Sequence, residues 1–204
     1  MISASTSVYG IVGNPIEHSL SPLLQNALAK EMNIDMSYVA FHVTDNIKAA
    51  IEGAYFLGIK GFNVTIPFKK DMLNIVSDID ERAKKIGAIN TLKKVESGYK
   101  GYNTDILGLK QSIKNNGMSI KGKNVILLGA GGAAKAALYL AIEEGAKSVT
   151  IINRNVERAN ELKKEVCDTF KNISVVSLDE LKQNLEILEH NDYFVFQTTN
   201  VGMY

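Results

Sequence analysis

The segment VILLGAGGAAKAAL, residues 125–138, constrains the fold of this chain more than any other stretch. A short apolar run leads into Gly129 and Gly131, and a helical pattern follows. In a parallel α/β sheet the first glycine permits a tight turn, and the second lets the main chain approach a pyrophosphate. A small third residue lets helix and strand pack closely, and the helix N-terminus faces the phosphates. We expect a dinucleotide to contact Gly129, Ala130, Gly131, Gly132, Ala133 and Ala134.

The next predicted strand ends in Asn153 and Arg154, and Arg158 follows four residues later. A chain that binds NAD usually carries an acidic residue at this strand end, where it binds the ribose 2′-hydroxyl. Two guanidinium groups instead suit a 2′-phosphate, which a carboxylate would repel. The alternative is a pair of solvated arginines at a helix start, although that end of a helix disfavours cations. The pattern favours NADP, with contacts from Asn153, Arg154, Asn155 and Arg158.

Strands and helices alternate along the whole chain, which is typical of an α/β fold with parallel sheets. In the first half the pattern predicts the strands VYGIVG, MSYVAFHV and GFNVTI and a hairpin around VESGYKGY. It also predicts helices over SPLLQNALAKEM (with Ser21 as N-cap and Pro22 at the first helical position), 46–57 and 105–116. In the second half the predicted strands are NVILLG, SVTIIN, ISVVS and YFVFQTT, and the predicted helices are 133–144, 156–166 and 179–188.

The segment NNGMSIKGK divides these two series of elements and predicts a domain boundary. We expect an N-terminal α/β domain with a mainly parallel sheet at residues 1–116, which binds the substrate. We expect residues 117–204 to form a nucleotide-binding α/β domain of the Rossmann type. This second series stops directly after a strand and a turn, so we expect the second domain to be incomplete at its C-terminal end.

The composition favours a small-molecule partner. Among 204 residues, 23 basic side chains balance 22 acidic ones, so no basic excess indicates nucleic acid. No apolar run is long enough to span a bilayer, and the N-terminus lacks the pattern of a signal peptide. A single cysteine, Cys167, cannot form an internal disulfide, which is usual in the cytoplasm. The sequence leaves open a monomer or a homodimer.

The stretch GFNVTIPFKK carries polar side chains where a buried strand should be apolar. Asn63 and Thr65 alternate with apolar residues, and Lys69 follows shortly after. Because alternate positions of a strand point to one side, the first two side chains could face one ligand. Three further polar clusters, EHSLSP, GAINT and YNTD, precede the predicted boundary. Each has a structural alternative, in which Ser21 and Asp105 cap helices and Asn90 lies in a turn.

Taken together, in this order, these clusters and the NADP-type turn resemble the shikimate dehydrogenase family from Tyr9 to Met203. The resemblance implies reduction of 3-dehydroshikimate to shikimate by NADPH, with no metal. It implies that Lys69 is the catalytic proton donor and that Asp105 is its catalytic neighbour. The substrate-binding residues implied by the resemblance are Ser19 and Ser21, which bind the carboxylate, together with Asn63, Thr65, Lys69, Asn90 and Asp105.

Three features depart from the family pattern. Asn155 stands where the family often has threonine, and Gln197 replaces an asparagine in the segment that supplies the cofactor contacts Thr199 and Met203. Members of the family also continue past the position of Tyr204. Two alternatives therefore stay open at this point: a quinate/shikimate dehydrogenase of broader specificity, and a truncated remnant that binds substrate or nucleotide without turnover.

Overall fold

The computed structural model describes residues 2–183 and 192–199. The chain divides into two compact units, Met1–Thr104 and Asp105–Tyr204. The helix that begins at Asp105 belongs to the second unit, where its Lys110 pairs with Glu143 at 3.5 Å and with Glu144 at 2.6 Å. The predicted domain boundary after residue 116 stays a prediction.

The first unit is built on a six-stranded sheet with the order β2-β1-β3-β5-β6-β4. Three parallel strands form one part of it: β1 (Ser7–Gly13), β2 (Met36–His42) and β3 (Gly61–Val64). The predicted hairpin forms the other part, with β5 (Thr91–Val95) antiparallel to β6 (Gly98–Tyr102), and β4 (Asp78–Ile79) follows at the edge. The helices are α1 (Ser21–Glu31), α2 (Ile47–Phe56), a 3-10 helix (Asp71–Asn74) and α3 (Glu81–Ile86).

The alternation of side chains along the strands builds a core on each face of this sheet. One face carries the larger apolar cluster, which includes Val12 and Phe62. The other face carries a smaller cluster that includes Ile11 and Tyr38. Asn63 lies opposite Ile11 in the register between β3 and β1, and therefore belongs to the face of the smaller cluster.

The second unit contains a four-stranded parallel sheet with the order β10-β7-β8-β9. Its strands are β7 (Asn124–Leu128), β8 (Ser148–Asn153), β9 (Ile173–Ser177) and β10 (Tyr193–Gln197). Its helices are α4 (Asp105–Asn115), α5 (Gly132–Glu143), α6 (Val156–Lys164) and α7 (Leu178–Gln183). The predicted α/β class, with mainly parallel sheets, is confirmed.

Three local predictions differ from the structure. Ser21 is the first residue of α1, and the N-cap position belongs to Leu20, so the prediction that Ser21 caps the helix is wrong. Strand β3 ends at Val64, which leaves Thr65 in the following turn. Between residues 69 and 102, where the sequence pattern predicts only the hairpin, the structure also contains β4, α3 and the 3-10 helix. These elements are two to six residues long, too short to show a period.

Part of the predicted helix 179–188 lies outside the described residues, as does Met203. Among the residues that the structure does describe, no helix combines the length and the apolar character needed to cross a membrane.

Candidate active site

Most of the predicted substrate-binding residues of the first unit lie at one end of the strands of its sheet, which we call the polar edge. The parallel strands end at this edge, and the antiparallel strand β5 begins there. Main-chain hydrogen bonds join the segments beyond the strand ends. Asn90 accepts from the N–H of Val64 at 2.8 Å and donates its own N–H to Tyr102 at 3.0 Å, while Ile89 donates to the carbonyl of Lys69 at 2.8 Å. The Lys69 and Asn90 segments are thus tied to one another.

The main chain around Lys69 is held on both sides. Phe68 is buried in the larger apolar cluster, and its N–H donates to the carbonyl of Thr65 at 3.1 Å, which closes the turn after β3. On the other side the carbonyl of Lys69 accepts from Ile89, which is fully buried. The Lys69 side chain is half-buried. The main chain at Lys69 is therefore anchored on both sides by buried residues.

The two predicted amides, Asn63 and Asn90, are linked by side-chain hydrogen bonds. Asn63 Oδ1 accepts from the Tyr38 hydroxyl at 2.7 Å, and its Nδ2 donates to Thr91 Oγ1 at 3.4 Å. The Thr91 hydroxyl donates to Asn90 Oδ1 at 2.9 Å, and this oxygen also accepts from the main-chain N–H of Thr104 at 3.0 Å. Asn90 is buried, so this site is a hydrogen-bonded group and not a solvated turn.

Ser19 and Ser21 lie where the loop after β1 enters α1. The Ser21 N–H donates to Ser19 Oγ at 3.3 Å, and no side chain of the described residues caps the helix. The Ser21 hydroxyl is therefore not occupied by the capping role that was its structural alternative.

The loop that carries these serines contacts His42, the last residue of β2, through two of its side chains. Glu17 Oε2 accepts from the main-chain N–H of Ile16 at 3.0 Å, and Glu17 Oε1 lies 3.2 Å from His42 Nδ1. His42 Nε2 lies 3.0 Å from Asn14 Oδ1. The main-chain N–H groups of Glu17 and then of Ile16 hold the pKa of the Glu17 carboxyl below its ordinary value. The loop is ordered by a carboxylate, an imidazole and an amide.

A cavity of about 320 Å³ opens on the face of the smaller cluster. Asn63, Thr91 and Tyr38 line it, together with Gln25 from α1. Ser19, Ser21 and Lys69 do not line this cavity. Asp105 is the first residue of α4, and it is exposed and belongs to the second unit.

The glycine-rich turn of the second unit has the geometry that its sequence predicts. Gly129 has a φ of +109°, and a Cβ at this position would lie 2.7 Å from Thr198 Oγ1. Helix α5 begins at Gly132, and its N-cap Gly131 provides no side chain to occupy the first N–H groups. A Cβ at Gly132 would meet nothing within 4 Å. The turn and helix start fit the pyrophosphate of a dinucleotide.

The end of β8 also fits a phosphate. Asn153 donates to the carbonyl of Asn155 at 2.8 Å, and Asn155 is the N-cap of α6. Arg154 and Arg158 are exposed, and within the described ranges neither guanidinium forms an ion pair with a carboxylate. The guanidinium of Arg158 lies near the turn, since a Cβ at Gly131 would be 3.8 Å from Arg158 Nη2.

The departure at Gln197 has a structural explanation. Its Oε1 accepts from both the main-chain N–H and the hydroxyl of Thr199, each at 2.9 Å. The neighbouring Thr198 donates its hydroxyl to the carbonyl of Leu128 at 2.6 Å, which brings this segment against the end of β7. The glutamine therefore holds Thr199 beside the glycine-rich turn.

Sequence reasoning missed the residues that fix the predicted side chains: Tyr38, Thr91, Thr104 and Thr198. Thr91 and Thr104 belong to the quoted clusters GAINT and YNTD, so their position beside Asn90 and Asp105 was a signal. Tyr38 gave none, because it lies inside an ordinary apolar strand pattern.

Both halves of the chain match known proteins. Residues 11–92 match the family model described as the shikimate dehydrogenase substrate binding domain. Residues 110–200 match the model described as shikimate / quinate 5-dehydrogenase. A relative from Methanococcus maripaludis, named shikimate dehydrogenase (NADP(+)), is 39% identical over 206 residues, which cover 100% of this chain and 71% of the relative.

Two crystal structures show the same fold. One, of a shikimate dehydrogenase in complex with NADP+, has a TM-score of 0.89 and 37% identity, and the match covers 100% of this chain and 70% of that one. The other, of shikimate 5-dehydrogenase from Listeria monocytogenes in complex with shikimate and NAD, has a TM-score of 0.87 and 27% identity, with 99% and 72% covered. The chain belongs to the shikimate dehydrogenase family.

Proposed function

We propose that this protein is an NADP-dependent shikimate dehydrogenase, which reversibly reduces 3-dehydroshikimate to shikimate on the route to aromatic amino acids. The observation that carries the proposal is the pairing, in one chain, of a hydrogen-bonded polar edge with a dinucleotide turn. The relatives that match the chain over its full length bear the name shikimate dehydrogenase (NADP(+)).

In this proposal the first unit binds the ring of the substrate. Ser19 and Ser21 donate hydroxyl protons to its carboxylate, which is supported by the uncapped start of α1. Asn63, Thr65 and Asn90 bind the ring hydroxyls. Their support is the chain of side-chain hydrogen bonds through Asn63 and Asn90 and the turn that places Thr65 directly after β3.

The second unit binds the cofactor. The residues of the turn, 129–134, contact the pyrophosphate, and Thr199 lies beside them. Arg154 and Arg158, with Asn153 and Asn155, hold the 2′-phosphate, because their guanidinium groups are unpaired by carboxylates among the described residues. Met203 completes the set of proposed contacts, and its contact rests on the family resemblance alone.

Lys69 and Asp105 perform the proton transfer. NADPH, when bound, supplies a hydride to the carbonyl carbon, which leaves negative charge on the oxygen. The ammonium of Lys69 donates a proton to this oxygen. The carboxylate of Asp105 binds a substrate hydroxyl next to the reacting carbonyl and orients it. The main-chain bonds on both sides of Lys69 support this role, because a proton donor acts best from a fixed position.

We place the protein in the cytoplasm, as a monomer or a homodimer that binds small molecules and not nucleic acid. Support for this comes from the single cysteine and the balanced charge.

The test is oxidation of shikimate with NADP, followed by the absorbance of NADPH, with calorimetry of both ligands alongside. We expect turnover with shikimate and NADP, and weaker activity with quinate or with NAD. A chain that binds neither shikimate nor NADP would sink the proposal. Equal rates with quinate and shikimate would instead indicate the alternative, a quinate/shikimate dehydrogenase of broader specificity.

A further inference from the structure

The hydrogen bonds around Asn90 have a direction that cannot be reversed. Asn90 Oδ1 accepts from the main-chain N–H of Thr104 at 3.0 Å. A main-chain N–H is a donor only, so the atom that faces it must be the amide oxygen. Asn90 Nδ2 then faces Thr104 Oγ1, at 3.0 Å. The Asn90 amide is therefore fixed by the backbone.

This direction is transmitted to Asn63 through Thr91. The Thr91 hydroxyl donates its single proton to Asn90 Oδ1 at 2.9 Å, so it can only accept on its other side. Asn63 Nδ2 lies on that side, at 3.4 Å, and donates to it. Asn63 Oδ1 must then face the remaining neighbour, the hydroxyl of Tyr38, which donates to it at 2.7 Å.

Tyr38 reaches Asn63 across a whole strand. In the order β2-β1-β3, Tyr38 lies opposite Tyr9 and Asn63 lies opposite Ile11. Two strand spacings amount to about 9.5 Å, a gap that needs a long side chain with a polar tip. The Tyr38 residue is only 5% exposed, and burial raises the pKa of its phenol to about 12. The hydroxyl therefore remains a proton donor through the physiological range.

The main chain of Tyr38 is itself fixed by α1. Asn26 Nδ2 donates to the Tyr38 carbonyl at 2.7 Å, and Asn26 Oδ1 accepts from the Tyr38 N–H at 2.9 Å. Helix α1 is the helix that begins at Ser21. One end of the series is thus held by a helix and the other by the N–H of Thr104.

We infer that Tyr38 is a positioning residue of the proposed substrate site, which acts by fixing the amide of Asn63 so that it presents an N–H donor to a substrate hydroxyl. The inference rests on the proposed function, because that function makes Asn63 a substrate contact. The site is then specific for a substrate hydroxyl whose oxygen accepts a hydrogen bond from the Asn63 side-chain N–H. Without the Tyr38 hydroxyl, only the longer bond of 3.4 Å to Thr91 Oγ1 still orients the Asn63 amide, in place of the 2.7 Å bond that is lost. The amide can then turn and present its oxygen instead.

The test compares Tyr38→Phe with Tyr99→Phe. Tyr99 is a matched control, because it is 2% exposed, donates to the carbonyl of Ile59 at 2.8 Å and has its pKa raised to about 12 by burial. Both variants lose one buried hydroxyl and its hydrogen bond. We expect only Tyr38→Phe to weaken shikimate binding, by about tenfold, with NADP affinity unchanged. Equal shikimate affinity in the two variants overturns the inference.

A double-mutant cycle separates positioning from a structural role. In the background of Asn63→Ala, Tyr38→Phe should cause no further loss of shikimate affinity, because Tyr38 acts through Asn63. An unchanged tenfold loss in that background would show that Tyr38 acts by another route.

A measurement without ligand keeps the inference distinct from the proposed function. The side-chain amide resonances of Asn63, read by NMR in the ligand-free chain, should move in Tyr38→Phe and stay in place in Tyr99→Phe. If they move while the wild type binds no shikimate, the positioning holds and the proposed function fails. If they do not move, Tyr38 does not orient this amide, and the inference is wrong.

Discussion

Asn155 Oδ1 accepts a hydrogen bond of 2.8 Å from the main-chain N–H of Arg158, and this bond starts helix α6. The cap places Arg154 just before the helix and Arg158 in its first turn. Cations at this end of a helix are unfavourable, because the helix dipole is positive there. A bound anion would offset this unfavourable interaction with the dipole. A 2′-phosphate has the negative charge and the acceptor oxygens to bind both guanidinium groups.

Replacing Arg154 or Arg158 with alanine should reduce the preference for NADP over NAD. Each lost charge-assisted contact is worth about 1.5–3 kcal/mol, or roughly tenfold or more in affinity. Calorimetric titration of both nucleotides measures the effect. Lys164→Ala is the matched control, since it removes a positive charge from the last turn of the same helix and should leave the preference intact. Equal affinity of the wild type for the two nucleotides would contradict the assignment.

The double variant Ser19→Ala, Ser21→Ala should weaken shikimate binding without the loss of stability that follows removal of a helix cap. The reason is that, among the described residues, the N-cap position of α1 belongs to Leu20, whose side chain makes no capping bond, and Ser19 Oγ accepts only a long bond of 3.3 Å from the Ser21 N–H. Asn46→Ala provides the contrast, because the Asn46 side chain accepts from Ala49 N–H and caps α2. That variant should lose about 1 kcal/mol of unfolding free energy and keep its shikimate affinity. Unchanged shikimate affinity in the serine double variant would remove both hydroxyls from the site.

Lys69→Met should lose turnover and keep most of the affinity for shikimate, because the ammonium is needed most as charge develops on the substrate oxygen. The expected loss is about a hundredfold to ten-thousandfold. Lys70→Met is the control, since Lys70 is an exposed neighbour. Asp105→Asn should lower turnover with a larger share of its loss in binding. Near-normal turnover in Lys69→Met, together with no turnover in Asp105→Asn, would show that Lys69 is not the proton donor.

Gly129→Ala should lower the unfolding free energy by about 1–3 kcal/mol and weaken NADP binding. The residue has a φ of +109°, and the added Cβ would come within 2.7 Å of Thr198 Oγ1. Gly108→Ala, in the interior of α4 with nothing within 4 Å of its Cβ, should instead raise stability by about 0.5–1 kcal/mol. Chemical denaturation of the two variants measures both effects. Equal stability of Gly129→Ala and wild type would show that a side chain at position 129 causes no backbone strain.

Stability should fall with pH between about 10 and 12, in part because of Tyr38 and Tyr99. Burial raises the pKa of each phenol from 10.0 to about 12, so the folded state holds these protons more tightly than the unfolded state. Their contribution is complete below pH 10 and is lost as the pH rises toward 12. Each phenol adds at most about 1.4 kcal/mol per pH unit to the slope. Denaturation at several pH values should show a shallower decline in Tyr38→Phe and Tyr99→Phe than in wild type.

The tight turn at Gly129 could be predicted because its geometry is local. The positive φ of Gly129 depends on residues within a few positions of it, where the strand ends and the helix begins. The same local reasoning failed at Ser21, where a good capping residue lies inside the helix. There the hydroxyl of Ser19 takes the Ser21 N–H, and the helix begins one residue early.

The substrate half could be predicted only in part. Asn63 in β3 and Thr65 directly after it stand out in the sequence, because amides and hydroxyls are unusual in a segment that reads as a buried strand. Their partners do not stand out, since Tyr38 and Asn63 are 25 residues apart and meet only because β1 lies between their strands. Strand order is a property of the whole sheet, and no local period reports it.

The two hydrogen bonds from Asn26 to the main chain of Tyr38 have a consequence for solubility. Strand β2 is at the border of its sheet, so the outward N–H and carbonyl of Tyr38 would otherwise offer a template for another chain. The Asn26 amide satisfies both groups, as a neighbouring strand would do. An incoming strand must first displace this amide. A side chain of α1 thereby protects the border of the sheet against aggregation.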